Sequence, residues 1–112
     1  MMEPSLSIHP RVNVVDIETT YSVDDGDKTI TSPFFGQQLV SAGLDLQGPY
    51  VSNIQYLFFY HNKRDPTADA FKILQESLNQ TDILVGHNIK FDLKWLRECG
   101  FTYSGKLFDT MI

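Results

Sequence analysis

The sequence predicts an α/β fold with a mixed β-sheet and flanking helices. Three strand-like segments come first, the second and third separated by a short turn, and helical and strand-like segments then alternate. Strands joined by a short turn pair antiparallel, whereas strands joined through a helix are normally parallel. The predicted segments after the first strand are 37–46, 53–60, helix 67–79, 82–86, helix 89–99 and 106–109.

The first strand lies in the run VNVVDIETTY at 12–21, whose β-branched and apolar start is typical of a core strand. Asp16 and Glu18 lie at its end, and residues two apart in a strand share a face. In a buried strand these two carboxylates would be desolvated and would repel each other. We expect a bound cation to offset that repulsion. The alternative is a strand end that frays into a polar loop.

After the first strand, we predict a polar loop and then two strands linked by a turn. The polar stretch 22–36 predicts a turn or loop, because it contains Asp-Asp-Gly-Asp and Ser-Pro. QQLVSAGLDL at 37–46 and NIQYLFFY at 53–60 predict strands. Gly48 and Pro49 between them predict a hairpin-like link.

Two helices and two strands follow. Pro66 is placed to open a helix over 67–79, which carries apolar residues at helical spacing. DILVG at 82–86 predicts a short strand, and KLFD at 106–109 another. Thr110 onward resembles the beginning of a further helix.

The helix at 89–99 carries an acid on its apolar stripe. Ile89, Leu93 and Leu96 share that stripe with Asp92, and the opposite, solvated face carries Lys90, Lys94, Arg97 and Glu98. Asp92 is therefore predicted to face the sheet, where an acid is unusual. A favourable interaction with the helix N-terminus is the alternative explanation.

Composition limits the class of protein. The 112 residues carry a net charge of −5, which argues against a nucleic-acid binder with a broad basic surface. No apolar run approaches membrane-spanning length, and the N-terminus lacks a signal-peptide pattern. The one cysteine, Cys99, fits a reducing compartment. We expect one soluble domain that is cytoplasmic, not secreted, and has no membrane partner.

The three acids are expected to meet at one edge of the sheet. Sites in α/β sheets gather at the carboxyl ends of strands, where Asp16, Glu18 and the start of the Asp92 helix lie. Carboxylate oxygens select Mg²⁺ or Mn²⁺ over zinc. Two such ions about 4 Å apart can promote in-line attack on a phosphodiester.

Three segments resemble one known family. Asp-Ile-Glu-Thr at 16–19 is similar to the first motif of the DEDD 3′–5′ exonucleases, and Gly-His-Asn-Ile-Lys-Phe-Asp at 86–92 to their second motif. Leu-Phe-Asp-Thr-Met-Ile at 107–112 resembles the segment that follows in the proofreading domains of bacterial and phage family A DNA polymerases. The resemblance covers the chain from about residue 11 and implies a ribonuclease H-like fold that stops before the C-terminal helices.

The resemblance implies a role for several residues. Asp16 would bridge two metal ions, Glu18 would bind the ion that activates water, and Asp92 would hold the second ion. Thr19, Asn88 and Phe91 would position the 3′ nucleotide. For Phe91 an alternative is a core aromatic packed with Trp95.

The same resemblance implies that further groups are needed. The family's fourth acid, and the Tyr or His four residues before it, belong to a third motif that these residues do not contain. We therefore expect 1–10 to be a flexible leader and 11–112 to be the N-terminal part of an exonuclease domain. The polymerase domain or the remaining exonuclease segment would be supplied elsewhere.

Three functions remain open from sequence. The first is a proofreading exonuclease that hydrolyses single-stranded DNA 3′ ends to nucleoside monophosphates. The second is an exoribonuclease of the ribonuclease D type with the same chemistry. The third is an inactive, truncated or split fragment that binds metal or a partner without turnover.

Overall fold

A computed structural model describes residues 10–20, 32–47 and 52–111 of the chain. Five strands form one mixed sheet in the order β3-β2-β1-β4-β5. This confirms the predicted α/β class and is compatible with a ribonuclease H-like exonuclease fold. The elements are β1 (Val12–Thr19), a 3-10 helix (Pro33–Phe35), β2 (Leu39–Gln47), β3 (Ser52–Phe58), α1 (Ala70–Asn79), β4 (Ile83–Gly86), α2 (Ile89–Glu98) and β5 (Lys106–Asp109).

The pairing of the strands follows the predicted rule. β1 pairs antiparallel with β2, and β2 with β3, whereas β4 pairs parallel with both β1 and β5. β2 runs beside β1 along its whole length, but β4 pairs with β1 only from Val12 to Val14. The carboxyl half of β1 therefore extends beyond β4, and this leaves an edge against which α2 can begin.

Both helices contribute to one core on one face of the sheet. Along β1, Asn13, Val15 and Ile17 are buried and the residues between them are exposed. The core includes Leu74 and Leu78 from α1 and a longer set from α2, namely Ile89, Leu93, Trp95 and Leu96. Within the described part of the chain, no helix is long and apolar enough to span a membrane.

The other face of the sheet, which we term the open face, is solvent-exposed. The register places Asp16, Gly43 and Tyr56 side by side across three strands. Tyr56 is 69% exposed, and both Asp16 and Glu18 are exposed. The prediction that these two acids face inward and are desolvated is wrong, because the side chains of β1 alternate and the helices cover only the opposite face.

α1 begins later than predicted. The predicted range was 67–79, but the helix starts at Ala70. Thr67 instead continues the pairing of β3: its N–H donates to the Phe58 carbonyl at 2.8 Å, and its Oγ1 accepts from the Phe58 N–H at 2.9 Å. Asp69 then adopts a left-handed conformation with φ 55°. Because of these side-chain and backbone hydrogen bonds, the helix begins at Ala70 and not directly after Pro66 as predicted.

Most other boundaries agree with the sequence to within two residues. β4, α2 and β5 lie where they were predicted, and β2 and β3 are each offset by one or two residues. Part of the predicted loop at 22–36 is a 3-10 helix, whose first turn is capped because Ser32 Oγ accepts from the Phe34 N–H at 3.1 Å. Thr110 and Met111 form a turn. The leader, the Asp-Asp-Gly-Asp loop, the Gly48–Pro49 link and Ile112 lie outside the described residues.

Candidate active site

The site begins at the free end of β1. Asp16 and Glu18 project from the open face, opposite Gly43 and Ser41 of β2. A Cβ at Gly43 would lie 3.3 Å from Cε1 of Tyr56, so the tyrosine ring packs closely over this backbone. The missing side chain at Gly43 leaves the neighbourhood of the Asp16 carboxylate accessible.

Asp92 approaches the same strand from α2. Its side chain is 5% exposed, and its Oδ2 accepts a hydrogen bond from the Ile17 N–H at 3.4 Å. Ile17 lies between Asp16 and Glu18 in the chain. The bond therefore brings the third acid to the segment of β1 that carries the first two, and it confirms that Asp92 faces the sheet.

A close approach of backbone segments positions the start of α2. A Cβ at Gly86 would lie 3.2 Å from the Val15 carbonyl oxygen and 2.9 Å from Cδ1 of Ile89. Asn88 then turns the chain into the helix through a left-handed conformation with φ 61° and ψ 53°. A side chain at residue 86 would require the end of the Ile89 side chain to move and the backbone near Val15 to yield slightly.

Asp109 at the end of β5 fixes that turn. Its Oδ1 accepts from the Met111 N–H and from the Asn88 N–H, each at 2.9 Å. The bond from the Met111 N–H is the main cause that holds the pKa of Asp109 below its ordinary value. Asp109 therefore acts on the site through backbone geometry.

The charge of Asp92 is disfavoured in the absence of a cation. Burial raises its pKa from 3.8 to about 7, although the Ile17 N–H opposes this shift by favouring the charged form. The nearby negative charges of Asp16 and Asp109 raise the pKa further. A cation at this edge would favour the ionised form of Asp92.

The donor atoms fit a hard divalent cation. The three acids offer only carboxylate oxygens, which suit Mg²⁺ or Mn²⁺. Among residues 10–20, 32–47 and 52–111, no three side chains of Asp, Glu, His or Cys are already placed to hold one ion. Asp16 and Glu18 project from the sheet face, whereas Asp92 is bonded at the strand edge. Ion binding therefore requires movement of the exposed carboxylates.

The three predicted substrate-positioning residues also lie near this edge. Thr19 is half-buried at the end of β1, after an irregularity in its pairing with β2. Asn88 is exposed, and its side chain makes no capping bond to α2. Phe91 is partly buried and packs against the core, which supports the alternative of a core aromatic for much of its surface.

Sequence reasoning missed Asp45 and Tyr56. These residues line a groove of about 260 Å³ together with Asp16 and Glu18. Asp45 Oδ1 is buried and has no hydrogen-bond partner among the described residues. The alternation of Ser41, Gly43 and Asp45 along β2 was a usable signal, but the strand register that brings it beside β1 is not readable from the sequence.

The comparison with protein families supports the resemblance. The sequence model described as a 3′–5′ exonuclease matches residues 51–112, more than half of the chain. The chain belongs to the 3′–5′ exonuclease family. The match corresponds to the DEDD exonuclease domain of family A polymerases, and this family is generally dependent on divalent metal. The matched region includes Asp92 but not Asp16 or Glu18. The structure places the strand that carries these two acids beside Asp92. No curated protein matches the chain.

Proposed function

We propose that the chain provides part of a metal-dependent 3′–5′ exonuclease site that hydrolyses single-stranded DNA to nucleoside monophosphates during proofreading by a DNA polymerase. The observation that carries the proposal is the hydrogen bond from the Ile17 N–H to Asp92. It joins an acid of the matched exonuclease region to the strand that carries Asp16 and Glu18. Membership of the exonuclease family supports the type of reaction.

Together, the three acids would supply ligands to two ions. Asp16 would contact both ions, Glu18 the first and Asp92 the second. When bound, two divalent cations supply an activated water and stabilise the negative charge that develops on the leaving 3′ oxygen. The exposed carboxylates of Asp16 and Glu18 are free to turn toward such ions, whereas Asp92 is anchored by the backbone.

The remaining residues of this edge position the strand end. Thr19 ends β1, and the exposed Asn88 follows the carboxyl end of β4. The exposed part of Phe91 can contact a base, and such contacts tolerate any sequence. Recognition would therefore depend on the backbone and the 3′ end.

Further groups belong to the same proposal. A fourth carboxylate and a Tyr or His base would come from another exonuclease segment, and the open face beside Asp16 is where these groups could approach the ions. A polymerase domain would supply most of the DNA affinity, because the net charge of −5 limits the affinity of this chain.

The proposal is tested with a 5′-labelled single-stranded DNA oligomer in Mn²⁺. Once the polymerase supplies the fourth carboxylate and the base, we expect a ladder that shortens from the 3′ end and disappears in EDTA. Asp16→Ala should abolish it, whereas Asp65→Ala should not, because Asp65 is an equally exposed acid in the loop before α1.

The outcomes separate the candidate functions. Equal cleavage by Asp16→Ala and the wild-type chain would contradict the assignment of the site. Faster shortening of an RNA oligomer of the same sequence would favour the exoribonuclease. A chain that binds Mn²⁺ but leaves both oligomers intact with the polymerase present would indicate a fragment without turnover.

A further inference from the structure

One face of α2 concentrates positive charge. The whole chain has nine Lys and Arg residues, and three of them, Lys90, Lys94 and Arg97, are exposed on this ten-residue helix. Residues spaced by four and three positions lie along one side of a helix. We term these three residues the cationic stripe. It contrasts with the acidic balance of the chain.

The cationic stripe borders a groove between α2 and the edge strand β5. The groove has a volume of about 350 Å³, and its apolar wall is formed by Leu93 and Leu107. Leu107 is 41% exposed, which is unusual for a leucine in a strand packed beside a helix. The groove therefore offers positive charge along one side and apolar surface along the other.

The one acid that lines this groove, Glu98, is hydrogen-bonded to a serine. Glu98 Oε1 accepts a hydrogen bond from Ser32 Oγ at 2.7 Å, so its carboxylate is held toward the loop before β2. Arg97 is also fixed, because its Nη2 donates to the Tyr103 carbonyl at 3.0 Å. Lys90 and Lys94 remain as the exposed ammonium groups nearest to the start of the helix.

The cationic stripe begins in the first turn of α2, at the edge of the sheet where the candidate active site lies, and it occupies the face of the helix opposite to Asp92. Lys90 lies two residues before Asp92, and Arg97 lies five residues after it. At about 1.5 Å per residue the stripe is about 10 Å long, which is long enough to meet more than one phosphate of a single strand. A strand whose 3′ end lies at this edge can pass the N-terminus of α2 and follow the outer face of the helix away from the site.

We propose that the cationic stripe binds the sugar-phosphate backbone of the single strand, upstream of the 3′ nucleotide. This inference rests on the proposed function and adds to it a path for the substrate. The lysines pair with phosphates, and Leu107 contacts sugars or bases. The start of the stripe at the catalytic edge favours DNA over an acidic protein surface, which has no reason to begin there.

The test measures binding rather than cleavage. A fluorescent oligothymidylate of about 12 nucleotides is titrated with the full chain in EDTA, and anisotropy is followed over a range of salt concentrations. The test variant is Lys90→Gln/Lys94→Gln. The matched control is Lys63→Gln/Lys72→Gln, which removes the same charge from exposed positions outside α2.

The expected effect follows from counterion release. Each lost phosphate contact should reduce the slope of log K against log salt by about 0.7, so the test variant should lose about 1.4. At about 50 mM salt this corresponds to about eightfold weaker binding per lysine and about sixtyfold for the pair. The control should bind within about twofold of the wild-type chain, because non-contacting charges act only through a screened field.

Two results would overturn the inference. One is an equal loss in test and control variants, which would indicate net charge alone. The other is unchanged or absent DNA binding, which would leave an acidic protein as the partner of the cationic stripe. Circular dichroism of each variant checks the fold. Because the titration needs no metal and no turnover, its failure is distinct from failure of the Asp16→Ala cleavage assay.

Discussion

Replacing Asp92 by asparagine should stabilise the metal-free protein above neutral pH. The acid is 5% exposed, and its Oδ2 accepts one hydrogen bond from the Ile17 N–H. Asparagine has nearly the same shape, and its carbonyl oxygen can accept the same bond. The substitution therefore removes a buried charge and retains the contact with β1. It should also reduce the stabilisation that divalent cations give to the wild-type chain, because it removes a ligand of the second ion.

The magnitude follows from the pKa of Asp92. A rise from 3.8 to about 7 corresponds to about 4 kcal/mol at about 1.4 kcal/mol per pKa unit. Because the pKa in the folded state is the higher one, proton binding favours folding. The stabilisation from the protonated acid is complete below about pH 4 and is lost as pH rises to about 7. Asp92→Asn should thus gain up to about 4 kcal/mol over the wild-type chain at pH 8 and almost nothing at pH 3.

Urea unfolding in EDTA measures this difference. Trp95 is fully buried, so its fluorescence reports loss of the core around α2. Free energies of unfolding are compared for both proteins between pH 3 and pH 8, and the other titrating groups largely cancel in the difference. A variant that is no more stable than the wild-type chain at pH 8, or a difference that does not vary with pH, would refute the argument. Addition of Mn²⁺ at pH 8 should raise the stability of the wild-type chain more than that of the variant, which keeps only Asp16 and Glu18 as ligands.

Three further substitutions test the site and the core, and a fourth, Phe34→Ala, serves as a control. Asp16→Ala should change the free energy of unfolding in EDTA by less than about 1 kcal/mol, because the side chain is exposed; a loss of several kcal/mol in a urea titration would make this acid structural. Leu96→Ala should cost about 2–5 kcal/mol, whereas Phe34→Ala, at a side chain that is 74% exposed, should stay within about 0.5 kcal/mol. Gly86→Ala should cost about 1–3 kcal/mol, since its Cβ would lie 3.2 Å from the backbone oxygen of Val15 and 2.9 Å from Ile89 Cδ1; an unchanged melting temperature would show that these atoms can yield without cost.

Local patterns predicted most of the fold. Alternation of apolar residues and helical spacing located all five strands and both longer helices, because each pattern arises from the geometry of one element. The start of α1 was missed for a physical reason. Thr67 is bonded to Phe58 of β3, a contact between segments nine residues apart that helix propensity does not include.

The acids of the candidate site were also predicted from local patterns in the sequence. The position of Asp92 on an apolar helical stripe indicated that it faces the sheet, and the structure confirms this. The spacing of Asp16 and Glu18 placed them on one face of a strand, and both are exposed on that face. Their predicted burial was wrong, because one strand does not show which of its faces the helices will cover.

The sequence by itself determined the element types, the side of each element that is apolar and the resemblance to an exonuclease. These properties depend on residues close together in the chain. The tertiary structure alone decided that Asp16 and Glu18 are exposed, the contact of Asp92 with the Ile17 N–H and the groove that Asp45 and Tyr56 share with Asp16. Strand register and the choice of covered face depend on the packing of distant segments, and no local pattern encodes them.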